Sequence, residues 1–227
     1  MKNSRLLSKS IAGMLFLLLA MALAMFLPYG SLHYRLAWLY LIVFFVPVLF
    51  ITAYLFLFDK HLLESRLAVG PVAEPTVTQK LIQSAAGVAF IGVYILSALD
   101  YRYKWSDVPL YLSYVGDAFC VLAFVFLFYV FKANTFLSAT IEVQEEQQVI
   151  STGLYGVVRH PMYTGALVLL FFTPLALGSF WGLVAVMVLA AVIIFRAIDE
   201  ERELKAKLTG YEEYCNKVRF RLIPFIF

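Results

Sequence analysis

YTGALVLLFFTPLALGSFWGLVAVMVLAAVIIFRAI, residues 163–198, is an almost unbroken apolar stretch too long for a single membrane crossing. A hydrocarbon core of about 30 Å needs roughly 20 helical residues, so the punctuation inside the stretch decides how it folds. Pro174 and the Gly178-Ser179 pair fall near its middle, where a proline removes a helical hydrogen bond and a glycine permits reversal of the chain. The stretch predicts a helical hairpin. Its first arm, 163–177, is short enough to be buried among other helices without fully spanning, whereas the second, 180–198, is long enough to cross.

Outward from the hairpin, residues 11–27, 36–58, 81–99 and 110–131 are four further apolar runs, each bounded by charged, proline- or glycine-containing sequence. Hydrophobic residues make up 63% of the chain and charged residues 15%. The expected fold is all-α: a polytopic, multi-pass integral membrane protein with about six membrane helices. The first run follows Lys2, Arg5 and Lys9 and contains Ala22-Leu23-Ala24, which resembles a leader cleavage site. It continues past the alanines to Leu27, however, and reads as a retained helix.

Orientation follows from cations in the flanking segments. Of the 18 Lys and Arg, fifteen fall in the N-terminus, loops 59–80 and 132–162, and the tail 196–227, which six crossings place on one side. Positive charge marks the cytoplasmic side, so both termini are expected there, in a cytoplasmic membrane. The net charge of +3 thus needs no nucleic-acid partner. Cys120 lies in an apolar run and Cys215 in the tail, while His33, His61 and His160 lie in three different loops, so neither a disulfide nor a metal site is expected.

Polar residues concentrate in 132–162 and in the tail. Residues 141–150, IEVQEEQQVI, followed by Ser151-Thr152-Gly153, suggest a compact surface structure. GLYGVVRHPMYTG, 153–165, places Arg159 and His160 just ahead of Pro161. Proline suits a first helical turn and extends the residue before it, so a helix is expected from about Met162, with its unsatisfied N–H groups facing the loop. Beyond the hairpin, apolar residues recur at three- and four-residue intervals through Leu204, Leu208, Tyr211, Cys215 and Val218, which predicts a helix leaving the membrane and continuing along its surface. The hairpin returns Asp199, Glu200 and Glu201 towards Arg159 and His160. Structural ion pairs and a binding site are both open readings of that cluster. Asn134 can cap the fourth helix or face the same site.

GLYGVVRHPMYTG, a hairpin, then EERELKAKLTGYEEYCNKVRFRLIP together resemble the isoprenylcysteine carboxyl methyltransferase and phospholipid N-methyltransferase family, in particular its small prokaryotic members. Arg159-His160-Pro161-x-Tyr163 follows a glycine-aromatic turn as in that family, and Glu200-Glu201 with Leu204, and Tyr211-x-x-Tyr214, match its later motifs. The resemblance covers roughly 132–227, which divides the chain into N-terminal transmembrane helices, 1–131, and a methyltransferase core, 132–227. It implies S-adenosyl-L-methionine as methyl donor. The implied cofactor contacts are Gly153, Leu154, Tyr155, Arg159, His160, Pro161, Tyr163, Glu200 and Glu201, with Arg159 and Glu201 as candidate catalytic residues and no metal. The implied partners are the bilayer and a lipophilic or small-molecule methyl acceptor: an isoprenylcysteine-type carboxylate, a phospholipid amine or a thiol.

The chemistry of such a donor suits these residue types. Arg159 or His160 can hold its carboxylate, Glu200 or Glu201 its ribose hydroxyls or ammonium, and Tyr155 or Tyr163 its adenine or sulfonium. The larger effect on cofactor affinity is expected at Glu201. No G-x-G-x-x-G fingerprint follows a strand, so a Rossmann-like cofactor domain is not expected. The terminal YEEYCNKVRFRLIPFIF also resembles the ends of membrane sterol reductases, which use NADPH, and a noncatalytic membrane protein is a third reading.

Overall fold

The computed structural model of the chain describes residues 2–67, 70–74, 76–140 and 148–227, so most of the surface structure expected over 141–150 lies outside the described residues. These residues form α1 (Lys2–Tyr29), α2 (Arg35–Phe58), α3 (Lys60–Leu67), α4 (Val77–Tyr103), α5 (Leu110–Ala133), α6 (Pro161–Ala176), α7 (Gly182–Lys207) and α8 (Tyr211–Lys217), with short 3-10 turns at Pro71–Ala73 and Gly153–Gly156. Helices α1, α2, α4, α5 and α7 are each long and apolar enough to cross a membrane. In lipid no water can satisfy a free backbone N–H or C=O, and a helix satisfies them within one segment. The fold is therefore the all-α polytopic arrangement expected. The hairpin is also present: α6, with 16 residues, rises about 24 Å and falls short of a full hydrocarbon core.

Helix α6 packs chiefly on α5, and α7 on α4, while α1 and α2 flank α4 and α5 respectively. The bundle is tied at mid-depth by Tyr40, whose hydroxyl lies 2.8 Å from Thr173 Oγ1 on α6 and 3.3 Å from the Tyr94 hydroxyl on α4. The tip of the hairpin is fixed by Asp100, at the end of α4. Its carboxylate accepts from Ser106 N and Oγ (2.8 and 2.6 Å), Ser179 Oγ (2.6 Å) and Trp181 N (3.1 Å). Gly178 makes the turn with φ +72, and a Cβ there would lie 2.9 Å from both Leu36 and Tyr101. Only glycine meets both constraints without strain. The depth of α6, and with it the position of its opposite end, is thereby set from the far face of the bundle.

Two features differ from expectation. The surface helix is not continuous: α7 stops at Lys207, Gly210 turns the chain in the left-handed region (φ 83), and α8 is a separate helix. The turn lets Tyr211, Tyr214 and Val218 pack back on Leu204, which buries apolar area that a straight extension would leave in the interface. In addition, the loop 59–80 contains α3, whose first turn is capped by Asp59 Oδ1 accepting from Leu62 N at 3.0 Å.

Candidate functional site

The end of the bundle where α6 begins gathers the polar residues. His160 is the N-cap of α6 and Pro161 its first residue, as the sequence suggested. Arg159 N and His160 N donate to Phe220 O and Arg221 O, both at 2.9 Å, so the tail after α8 lies directly against this entry. Thr164 Oγ1 adds a bond to Leu222 O at 2.6 Å.

Glu201 is the hub of this entry. Its Oε1 accepts from Arg159 Nε at 2.7 Å and lies 3.2 Å from His160 Nε2, and its Oε2 accepts from Arg221 Nε at 3.0 Å. Arg159 also donates Nη1 to Val218 O and Arg219 O, at 2.7 and 2.9 Å. Burial alone lowers the pKa of this guanidinium, but the Glu201 bond and charge more than reverse the effect, leaving it above the ordinary arginine value. Glu201 and Arg159 are 3% and 7% exposed, a pair withdrawn from water.

Glu200 faces another way. Tyr163 donates its hydroxyl to Glu200 Oε2 at 2.6 Å, and Arg196 Nε donates to the Tyr163 oxygen at 3.2 Å. Arg196 is itself held by Gln83 (2.8 Å), Glu74 (2.7 Å) and the carbonyl of Ala139 (2.8 Å). Arg66 on α3 donates to Ser138 O at 2.9 Å and meets Met162 Sδ at 3.3 Å. These two arginines and Glu74 brace the site from behind. Sequence reasoning missed all three, since Arg196 reads as the charged end of an apolar run and Arg66 and Glu74 as loop charges. The signal that could have found Arg196 is a cation set inside the run, four residues before Glu200.

Between the loop, α6, α7 and α8 lies a cleft of ≈ 810 Å³ counted out to open solvent. Tyr155, Arg159, His160, Pro161, Tyr163 and Glu200 line it; Gly153, Leu154 and Glu201 do not. The walls also include Asn134, Leu204, Tyr211 and Tyr214. Asn134 thus takes both of its expected places, because it caps α5 and its Oδ1 accepts from Phe136 N at 2.9 Å. Of the acidic trio, Glu200 and Glu201 come to this entry and Asp199 is absent from the cleft walls.

The arginine of the cleft is already spent on Glu201 and two carbonyls, whereas Glu200 makes no ion pair among the described residues. The other acidic group of the walls, Glu203, pairs at 2.6 Å with Lys207 on the exposed side of α7. The hydroxyls of Tyr155 and Tyr211, both in the walls, have no hydrogen-bond partner among the described residues. Burial pushes both phenols above their ordinary pKa, so they stay protonated and polar. Such a cleft favours a ligand that brings positive charge and hydrogen-bonding groups.

Residues 112–209 match the family model described as phospholipid methyltransferase. Over that stretch, from α5 through the hairpin to the turn before α8, the chain is similar to that family, and the resemblance seen in the motifs is borne out there. The match begins inside α5 and leaves Tyr211, Tyr214 and the rest of the tail beyond its end. A stretch of 91 residues, 39% of this chain, is 32% identical to a Delta(14)-sterol reductase of Mus musculus. It spans 22% of that relative's length.

Proposed function

We propose that the protein is an S-adenosylmethionine-dependent methyltransferase of the isoprenylcysteine carboxyl methyltransferase type, acting on a lipophilic or small acceptor. The observation that carries this reading is the cleft at the root of the hairpin, whose walls, among the described residues, combine a carboxylate without an ion pair, a buried phenol without a hydrogen-bond partner and an arginine already paired. The residues fit the donor: Glu200 with Tyr155 and Tyr211 for its cationic sulfur, His160 and the first N–H groups of α6 for its carboxylate. When bound, the cofactor supplies a methyl group on a cationic sulfur.

The contribution of the chain is placement and dryness. Tyr163 holds the Glu200 carboxylate in one orientation, and the Arg159–Glu201 clamp fixes the tail against the entry of α6. Leu137, Val149 and Leu204 line the same cleft and exclude water. Transfer of this kind rests on positioning and needs no covalent enzyme intermediate. An acceptor carboxylate needs no base, whereas an amine or thiol must reach its unprotonated form. The cleft lies at the root of a hairpin whose second arm is a candidate span, which suits an acceptor arriving through lipid. Glu201 is read here as a positioning residue and Glu200 as the ligand contact.

The sterol reductase similarity supports a second reading, an NADPH-dependent membrane reductase. NADPH carries a diphosphate and a further phosphate, which call for several free cations. Arg159 is the cleft's arginine and is already paired, while Glu200 and Glu203 add negative charge. Thermal shifts of the purified chain in detergent separate the readings. A ligand at about 100 times its dissociation constant adds about 2.7 kcal/mol to the folded state. S-adenosylmethionine and its demethylated product are expected to raise the melting temperature and NADPH to leave it unchanged; the opposite pattern establishes the reductase, and no shift with any of them leaves the noncatalytic reading.

From the charge bias we further infer that this face, with both termini, is cytoplasmic. Glu213 on α8 is exposed. In a cysteine-free background, Glu213→Cys is expected to escape a membrane-impermeant maleimide in intact cells and to react after permeabilisation. Labelling from outside reverses the orientation.

A further inference from the structure

Four tyrosines from three separate segments meet around one carboxylate. Tyr155 comes from the 3-10 turn, Tyr163 from α6, and Tyr211 and Tyr214 from α8, and all four line the cleft together with Glu200 of α7. The group is built rather than incidental. Tyr214 donates to Tyr155 O at 2.7 Å, which locks α8 to the 3-10 turn, and the Tyr211 and Tyr214 rings lie 5.6 Å apart at 58°. Tyr163 is bonded to Glu200 at 2.6 Å.

Four charged groups near this cluster are matched to one another. Arg159 pairs with Glu201, and Arg196, which touches Tyr163 from outside the cleft, pairs with Glu74. Among the described residues Glu200 alone of these carboxylates has no ion pair; it lines the cleft, and the Arg66 guanidinium acts on it through charge without a contact. Among the described residues the Tyr211 hydroxyl has no hydrogen-bond partner and the Tyr155 hydroxyl has only Asn134 beside it, although Tyr155 and Tyr211 are 6% and 5% exposed. Leaving buried hydroxyls unbonded is costly, and the deficit is relieved when a ligand supplies polarised C–H or N–H groups. Aromatic rings lining one cleft with a carboxylate that has no ion pair attract a cation through both the ring quadrupoles and the charge.

We propose that Tyr155, Tyr163, Tyr211 and Tyr214 with Glu200 form an onium cage, which tells a positively charged sulfur or nitrogen from its neutral counterpart. On the methyltransferase reading, on which this rests, the cage holds the donor while its sulfur is charged and releases the product once the sulfur has become a neutral thioether. Discrimination is thus set by charge at one point of the ligand, and product inhibition is weak. Two of the four rings lie beyond residue 209, where the family match ends.

The test compares dissociation constants of the full chain in detergent for S-adenosylmethionine and S-adenosylhomocysteine, which differ by one methyl and one charge. Wild type is expected to prefer the sulfonium by about tenfold. Glu200→Gln, which keeps shape and the acceptor for Tyr163, is expected to bring the ratio close to one while leaving the affinity for the thioether within about twofold. Tyr211→Phe keeps the ring and is expected to lose part of the preference without a fall in melting temperature. Choline and its neutral isostere 3,3-dimethylbutan-1-ol probe the cage without the nucleoside: choline alone is expected to bind, and Glu200→Gln to abolish the difference. Choline preference with no nucleoside binding keeps the cage and removes the methyl-donor reading. Equal binding of the two nucleosides, or a ratio that survives Glu200→Gln, overturns the cage and leaves the donor site standing. Failure of every probe removes both.

Discussion

Glu201→Ala is expected to destabilise the protein by about 3–5 kcal/mol, one of the two largest effects of a single change at the site. The carboxylate is 3% exposed and holds Arg159, His160 and Arg221 at 2.7, 3.2 and 3.0 Å. Its removal leaves the Arg159 guanidinium desolvated with only two carbonyls to neutralise it. Breaking one side of a buried pair costs more than the pair contributes, because the remaining charge keeps its desolvation penalty. Arg159→Leu combined with Glu201→Leu is therefore expected to be less damaging than either change alone. Melting temperatures and denaturation midpoints of the single and double variants in one detergent decide this, read as a double-mutant cycle. If Glu201→Gln keeps the wild-type melting temperature and loses cofactor affinity instead, the carboxylate belongs to the ligand and the positioning role assigned to it fails.

Arg196→Met is the second change with a large expected cost, again about 3–5 kcal/mol. Arg196 is 8% exposed, and its guanidinium joins α7 to Glu74, to Gln83 on α4, to the carbonyl of Ala139 and to Tyr163. Methionine keeps the length and loses every donor, so the 3-10 segment and the residues after α5 lose their common anchor. This change also reaches the ligand, because Arg196 orients Tyr163 and Tyr163 orients Glu200. Cofactor affinity of the surviving folded protein is expected to fall about fivefold to tenfold, with Arg196→Lys intermediate. Wild-type affinity in a destabilised Arg196→Met protein would show that Tyr163 and Glu200 keep their places without this support.

These two residues also show where sequence reading stops. Arg159, His160 and the acidic pair were legible because a proline marks the start of α6 and a glycine turn forces the hairpin to return to the same face. Their convergence is a consequence of chain length and punctuation, local properties that survive translation into structure. Which carboxylate pairs and which faces the ligand was not legible. Glu200 and Glu201 are adjacent, and successive residues on a helix point about 100° apart, so their surroundings depend on what packs against each side of α7. The tail settles one side, through Arg221 and the carbonyls of Val218 and Arg219, and the tyrosines settle the other.

The break at Gly210 was hidden for a related reason. The three- and four-residue periodicity through Tyr211 and Tyr214 is satisfied equally by one long helix and by two helices folded on each other. Only the gain from packing α8 on Leu204 favours the second. Sequence alone determined that the chain is helical and membrane-embedded, where its hairpin turns, and which motifs meet at its root, since these follow from hydrocarbon thickness and backbone hydrogen bonding in lipid. Tertiary structure alone decided that Arg196, Arg66 and Glu74 brace the site, that Glu201 is withdrawn into a clamp, and that Glu200, without an ion pair among the described residues, lines the cleft with four tyrosines. Each of these is a matter of which desolvated charge finds a partner, and partners separated by tens of residues in the chain are chosen only when the helices pack.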